Sequence, residues 1–210
     1  HFVELWRGCC LLSRLRRSPE GINAGSADAW MGLSVAALAL GRTVQANAAM
    51  TQAMRREGGP DLYRSRAYAA LAVGADAIAA ADARRYLELA GLSTETAVYT
   101  AFAGAIGHLR LEQMDQAREL LNAAREASSA APWTMLVADF LDARVPPEAF
   151  LTKARSDGEK TEAHAYIGFK AEIEGRKDEA ITHFQWVIDK GAKNYVEYRM
   201  ARSALKRLLR

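Results

Sequence analysis

Residues 161–192, TEAHAYIGFKAEIEGRKDEAITHFQWVIDKGA, place small side chains where a helix usually carries large ones. Gly168, Ala171, Gly175 and Ala180 fall among Tyr166, Ile167, Phe169, Ile181, Phe184 and Trp186. Such gaps are either room for a ligand or sockets for a neighbouring helix. Two helices approach to about 8–10 Å between axes only where their side chains permit it. Sockets should therefore recur wherever the chain pairs helices, and they do.

Two further segments align with this one: ADAWMGLSVAALALGRTVQANAAMTQAMRREG at 27–58 and VYTAFAGAIGHLRLEQMDQARELLNAAREASS at 98–129. In each, a small residue stands at the eighth place (Ser34, Ala105, Gly168) and an alanine at the twentieth (Ala46, Ala117, Ala180). A large apolar residue follows four positions later (Met50, Leu121, Phe184). Gly41 and Gly175 occupy the fifteenth place, where a turn is expected, and Glu112 departs from that pattern. Asp115 and Asp178 suit the first turn of a second helix. The pattern predicts that Gly168 and Ala180 meet within one hairpin while Phe184 fills the space towards the next. Enlarging Ala180 to Leu should then cost about 1–3 kcal/mol through overpacking.

The rest of the chain reads in the same units. Residues 61–91 form another hairpin that admits more than one register. Residues 132–158 form a shortened one, with Pro132 and Pro147 suited to first helical turns. The ending GAKNYVEYRMARSALKRLLR reads as a final helix over the last repeat's exposed flank. The expected organisation is an N-terminal segment 1–25, then a repeat domain 26–210. Within it the repeats cover about 27–60, 61–94, 98–131, a shortened 132–158 and 161–194, with a capping helix at 195–210.

A helix hairpin recurring at this scale resembles the tetratricopeptide repeat of about 34 residues. The likeness is best in 27–58, with Trp30 at the usual aromatic place and Leu33 beside the small residue. It implies an all-α fold: a right-handed superhelical solenoid of four to five hairpins with a C-terminal capping helix. The run N-Y-V-E-Y-R-M-A-R-S-A-L after the last repeat is also similar to the C-terminal part of bacterial repeat lipoproteins of the NlpI type. Those are outer-membrane adaptors that bring proteases and cell-wall hydrolases together. The first resemblance covers most of 27–208, the second about 132–208.

By register, the resemblance assigns the concave groove to the second, fifth, ninth, twelfth and thirteenth places of each repeat. These are Asp28, Met31, Val35, Leu38 and Ala39, then Tyr99, Phe102, Ile106, Leu109 and Arg110, then Glu162, Ala165, Phe169, Glu172 and Ile173. The implied function is a scaffold or adaptor that holds another protein's segment in an apolar groove with an acidic end. An amphipathic helix or extended apolar segment with a basic flank would fit. A clamp for a C-terminal carboxylate, which some members build from Lys, Arg and Asn, has only Arg110 to draw on. The other outcome is that these apolar positions are buried by a neighbouring first helix or by residues 1–17 folding back.

Nothing in the sequence adds catalysis. His1, His108, His164 and His183 have no metal-ligand spacing, and no nucleophile elbow, phosphate loop or dinucleotide fingerprint occurs. The expectation is no enzyme, cofactor or metal. A net charge of +3, from 28 Lys and Arg against 25 Asp and Glu, is interspersed and does not suggest nucleic-acid binding. Arg199, Arg202, Lys206, Arg207 and Arg210 read as a solvated helix face near a C-terminus, where the dipole favours cations.

The adjacent Cys9 and Cys10 form no disulfide framework, and Trp6-Arg7-Gly8 before them is a poor lipidation signal. The longest apolar run, 29–41, is shorter than the about 20 residues a membrane span needs. A start at His1 suggests a fragment or processed product, with a cytoplasmic or periplasmic location and membrane anchoring only through a missing N-terminal segment. An alternative reading is the C-terminal repeat region of a larger bacterial enzyme, a protease or kinase with its catalytic domain upstream. Self-association through the apolar face is a third.

Overall fold

The computed structural model describes residues 26–57, 59–127 and 132–209; the expectations for 1–25, Cys9 and Cys10 included, lie outside them. Among the described residues there are eleven α-helices and no strand. They are α1 (Ala27–Ala39), α2 (Thr43–Arg56), α3 (Pro60–Val73), α4 (Asp76–Ala90), α5 (Glu95–Arg110), α6 (Met114–Ala127), α7 (Pro132–Leu141), α8 (Pro147–Lys153), α9 (Asp157–Ile173), α10 (Lys177–Lys190) and α11 (Val196–Leu208). No helix among the described residues is long and apolar enough to cross a membrane. Starts are chemically marked. Ser26 and Thr94 cap α1 and α5, and Ser156 with Glu159 forms a reciprocal capping box on α9.

One turn is used five times. At each, the amide just past the turn donates to the carbonyl five residues back: Arg42 to Ala37 at 2.9 Å, Ala75 to Ala70 at 2.8 Å, Gln113 to His108 at 2.9 Å, Arg144 to Asp139 at 2.9 Å and Arg176 to Ala171 at 2.8 Å. The amide before it donates three residues back, from Gly41, Gly74, Glu112, Ala143 and Gly175. This double closure is the Schellman ending, and its geometry requires a left-handed residue. Gly41, Gly74 and Gly175 supply it with φ of 70°, 79° and 75°. Glu112 and Ala143 adopt the same conformation, at 58° and 59°, although both carry a Cβ. Glu112 thus departs from the repeat in residue type and obeys it in backbone.

The shared turn also fixes the register of the second hairpin. With Pro60 first, Gly74 takes the fifteenth place, Ala67 the eighth, Ala79 the twentieth and Ala83 four further on. All three alanines are fully buried.

The small residues are sockets for helices. Ser34 is fully buried and its hydroxyl donates to the Ala46 carbonyl at 2.8 Å, joining the eighth and twentieth places. Ala46, Ala117 and Ala180 have no exposure. A Cβ placed on Gly168 would lie 2.6 Å from the Phe184 ring. Phe184 therefore fills the gap in its own hairpin, which corrects the expectation that it reaches towards the next. The same device brings α4 onto α5. A Cβ on Gly104 would stand 2.8 Å from the Ala83 methyl, and one on Gly107 would stand 3.0 Å from the Asp76 carbonyl.

First helices α1, α3, α5, α7 and α9 pack side by side, and each of α4, α6, α8 and α10 also packs on the helix that follows it. Ion pairs, one buried and one partly buried, reinforce two joints. Arg66 of α3 grips Asp82 of α4, with Nη2–Oδ1 at 2.8 Å, and reaches Asn47 of α2 at 3.0 Å. Arg125 of α6 donates to Asp139 at 2.7 Å and Asp142 at 2.9 Å, at the end of α7. The short fourth hairpin is held by aromatic stacking, with the Phe140 and Phe150 rings 4.4 Å apart and Trp133 5.2 Å from Phe150.

The final helix does more than cover the last flank. α11 packs on α9 and α10 and also on α3, more than a hundred residues earlier in the chain. Its buried face, Glu197, Met200, Ala201, Ala204 and Leu205, has helical spacing.

Two substitutions test the turn and the socket. Gly168→Val should lower unfolding stability by about 1–3 kcal/mol, because the fully buried Phe184 ring must shift to admit the new side chain. Glu112→Gly should raise it by about 0.5–1 kcal/mol, the left-handed penalty of about 1–2 kcal/mol less the entropy cost of glycine. Urea denaturation of each variant against the parent reads both.

Candidate functional site

The return of α11 to α3 leaves a cavity of about 810 Å³ between them. Ligand sites commonly occupy about 300–1,000 Å³. Val35 and Ala39 of α1, with Tyr68, Ala69, Ala72 and Val73 of α3, make an apolar wall. Glu95, Thr96 and Tyr99 from the start of α5 and Glu162 of α9 make another. Asn194, Tyr195 and α11 residues Glu197, Arg199, Met200 and Ser203 close the far side, with Arg64 and Ser65 completing α3's contribution.

The carboxylates here have an unusual setting. Glu162 is 5 % exposed and accepts hydrogen bonds from the Tyr99 hydroxyl and the Trp133 indole N–H, both at 2.8 Å. Glu197 is 2 % exposed and accepts from the Tyr166 hydroxyl at 3.2 Å. All three donors are neutral. Burial, with the nearby Glu162 charge, pushes the Glu197 carboxyl up to about 7, and burial also raises Glu162. Burial likewise raises the Tyr68, Tyr99 and Tyr166 hydroxyls, keeping them protonated donors. Tyr68 approaches the Thr100 hydroxyl at 3.5 Å.

Another end of the same helices is tied by ions. The Arg110 side chain is only 8 % exposed. It donates to the Leu71 carbonyl and Asp76 Oδ1, each at 3.0 Å, and to Glu172. Glu172 also accepts from Arg207 of α11, and the Arg110 guanidinium lies 5.3 Å from the Phe169 ring centroid. This network links α3, α4, α5, α9 and α11.

The groove residues assigned by resemblance are divided among these environments. Val35, Tyr99 and Glu162 line the cavity. Arg110 and Glu172 belong to the ion network. Phe102, Ile106 and Phe169 have no exposure, Met31 and Leu38 are buried, and Leu109 is half-buried. Phe102 packs edge-on against Tyr99 and Tyr166, at 5.6 and 6.2 Å. The apolar positions of α5 and α9 are thus core in this structure.

The residues missed are those of α3 and α11. The register fixed by Gly74 would have found the first set, because its fifth, ninth and thirteenth places are Arg64, Tyr68 and Ala72, all lining the cavity. Glu197 had no comparable signal.

Of the histidines, His164 and His183 come together, with Nδ1 atoms 2.9 Å apart, and His164 stacks on Trp186 at 3.8 Å. Burial, with His183 beside it, holds His164 down to about 4, so the pair is neutral at pH 7. His108 bonds Gln113 at 2.7 Å. No group of three or more His, Cys, Asp or Glu among the described residues is placed to hold a metal ion. The chain matches no protein-family model, and no curated protein matches it.

Two measurements follow from the charges. Glu197 has a folded pKa above its unfolded value, so its contribution is full below about 4.5 and is lost as pH rises through about 7. Tyr166, Tyr68, Tyr99, Arg199 and Arg64 surround that region with Glu162, and Glu197→Gln also relieves the repulsion on Glu162, which acts in the same direction. The variant should therefore match the parent near pH 4.5 and become the more stable of the two by pH 8, read from thermal melts across that range. Glu172→Gln should cost about 3 kcal/mol in urea denaturation. That is the low end for stripping a partner from a buried charge, because Asp76 still holds Arg110.

Proposed function

We propose that the chain is a tetratricopeptide-like repeat protein that works as a non-catalytic adaptor, holding a segment of another protein in the cavity between α3 and α11. The observation that carries this reading is the cavity itself: about 810 Å³, formed by α1, α3, the start of α5, α9 and α11. Five identical turns and the recurring small-residue sockets support the repeat-family assignment. In this reading the first helices form the concave side of a right-handed solenoid. The capping helix α11 occupies part of that side and leaves the remainder for a partner.

Such a site binds through preorganisation. Helices already locked by sockets and ion pairs lose little conformational entropy on association, so more of the contact energy appears as affinity. The partner's apolar side chains would lie on Val35, Ala69 and Val73.

Buried groove positions are unsuitable for testing this, since Phe102→Ser or Ile106→Ser would open the core. Ala39 and Ser65 are exposed and face the cavity. The double variant Ala39→Trp, Ser65→Trp should fill the cavity and leave helicity unchanged. Affinity capture from a lysate of the source cells should lose specific partners with this variant and keep them with the parent. Identical partner sets from both would contradict the proposal.

A further inference from the structure

Glu162 and Glu197 are buried carboxylates without a direct ion-pair partner among the described residues. Their side-chain donors are Tyr99, Trp133 and Tyr166, and no Lys or Arg among the described residues forms an ion pair with either. Both face the same cavity. Of the cations lining it, Arg64 pairs with Asp61 at 3.1 Å, and the exposed Arg199 acts on Glu197 through its charge with no hydrogen bond or ion pair to it. Elsewhere in the fold, buried acids are matched, Asp82 by Arg66 and Glu172 by Arg110 and Arg207. Each ionised carboxylate offers about four acceptor sites, more than the donors named here fill. Exposed Glu95 on the rim adds to the negative field.

We propose that the partner segment carries a lysine or arginine among apolar residues, its cation meeting Glu162 and Glu197 while its apolar neighbours lie against Val35, Ala69 and Val73. This rests on the adaptor reading and names the chemistry of its partner. Charge complementarity selects it. A neutral apolar segment would bury the two acids further and force them to take up protons, whereas a cation supplies the missing donors and stabilises their charge. The cavity also lies beside a helix of the same character, since α11 presents an apolar face to α3 and a terminal Arg207 to Glu172.

The test is selection of random twelve-residue peptides displayed on phage against the full chain, followed by fluorescence anisotropy with the synthesised winners. Selected peptides should share a Lys or Arg flanked by apolar residues. Replacing that residue by norleucine should weaken binding at least about tenfold to the parent, the scale expected when one member of a buried charge pair is removed. The same replacement should have little effect on the Glu162→Gln, Glu197→Gln double variant. Both amides keep an oxygen for Tyr99, Trp133 and Tyr166, so melts should show the variant folded, and the norleucine comparison on the parent is independent of it.

Peptides that bind the cavity with no preference for a cation would overturn this inference and leave the adaptor reading standing. Absence of any peptide binding would remove both. Binding that emerges only after deletion of residues 1–25 would make the chain's own N-terminal segment the occupant and overturn the proposal. A dimer dissolved by Ser65→Trp would assign the cavity to a second copy, with the same consequence.

Discussion

The Glu172 carboxylate, shared by Arg110 and Arg207, is the constraint on which the shape of the cavity depends. Arg110 is the last residue of α5, Glu172 lies near the end of α9, and Arg207 lies near the end of α11. Among the described residues, the Arg207–Glu172 contact between α11 and α9 is the ion pair that ties the final helix to the rest of the fold. With it, α11 becomes a wall. The Arg207 side chain also passes close to Gly74, within van der Waals reach of where a Cβ there would stand. A buried ion pair seldom adds much net stability, but removing one member leaves a charge stranded. Such a network therefore fixes position more than it strengthens the fold.

The remaining architecture follows from repetition of two local devices. A left-handed residue ends each first helix, and a small residue opposite the following helix lets the two axes close. Both appear in the sequence where glycine marks them, at Gly41, Gly175 and Gly168. They are harder to read at Glu112 and Ala143, where tertiary packing and the paired Schellman bonds hold a residue with a Cβ in a conformation that glycine favours. Residues 61–91 hid their register for a different reason. Alanine is so frequent there that Ala67, Ala79 and Ala83 have competitors at neighbouring positions, and only the turn at Gly74 separates them.

The all-helical fold was therefore legible, and the site only partly. Val35, Tyr99 and Glu162 could be placed by register. Phe102, Ile106 and Phe169 could not be sorted into groove or core, because a large apolar side chain serves either and the choice depends on what packs over it. That is settled by long-range contacts among α5, α9 and α11. Local periodicity carries no record of such contacts. Glu197 was invisible for the same reason: a glutamate in the first turn of a helix is ordinary, and its burial beside Glu162 arises only when α11 is docked.

The most direct measurement of that docking is amide hydrogen exchange followed residue by residue under native conditions. If α11 is an integral wall, the amides of 200–208 should exchange only through global unfolding, with the same protection free energy as those in the middle of α9. Exchange of α11 several orders of magnitude faster than α9 would mean that the helix opens independently, and the cavity built against α3 would have no fixed wall.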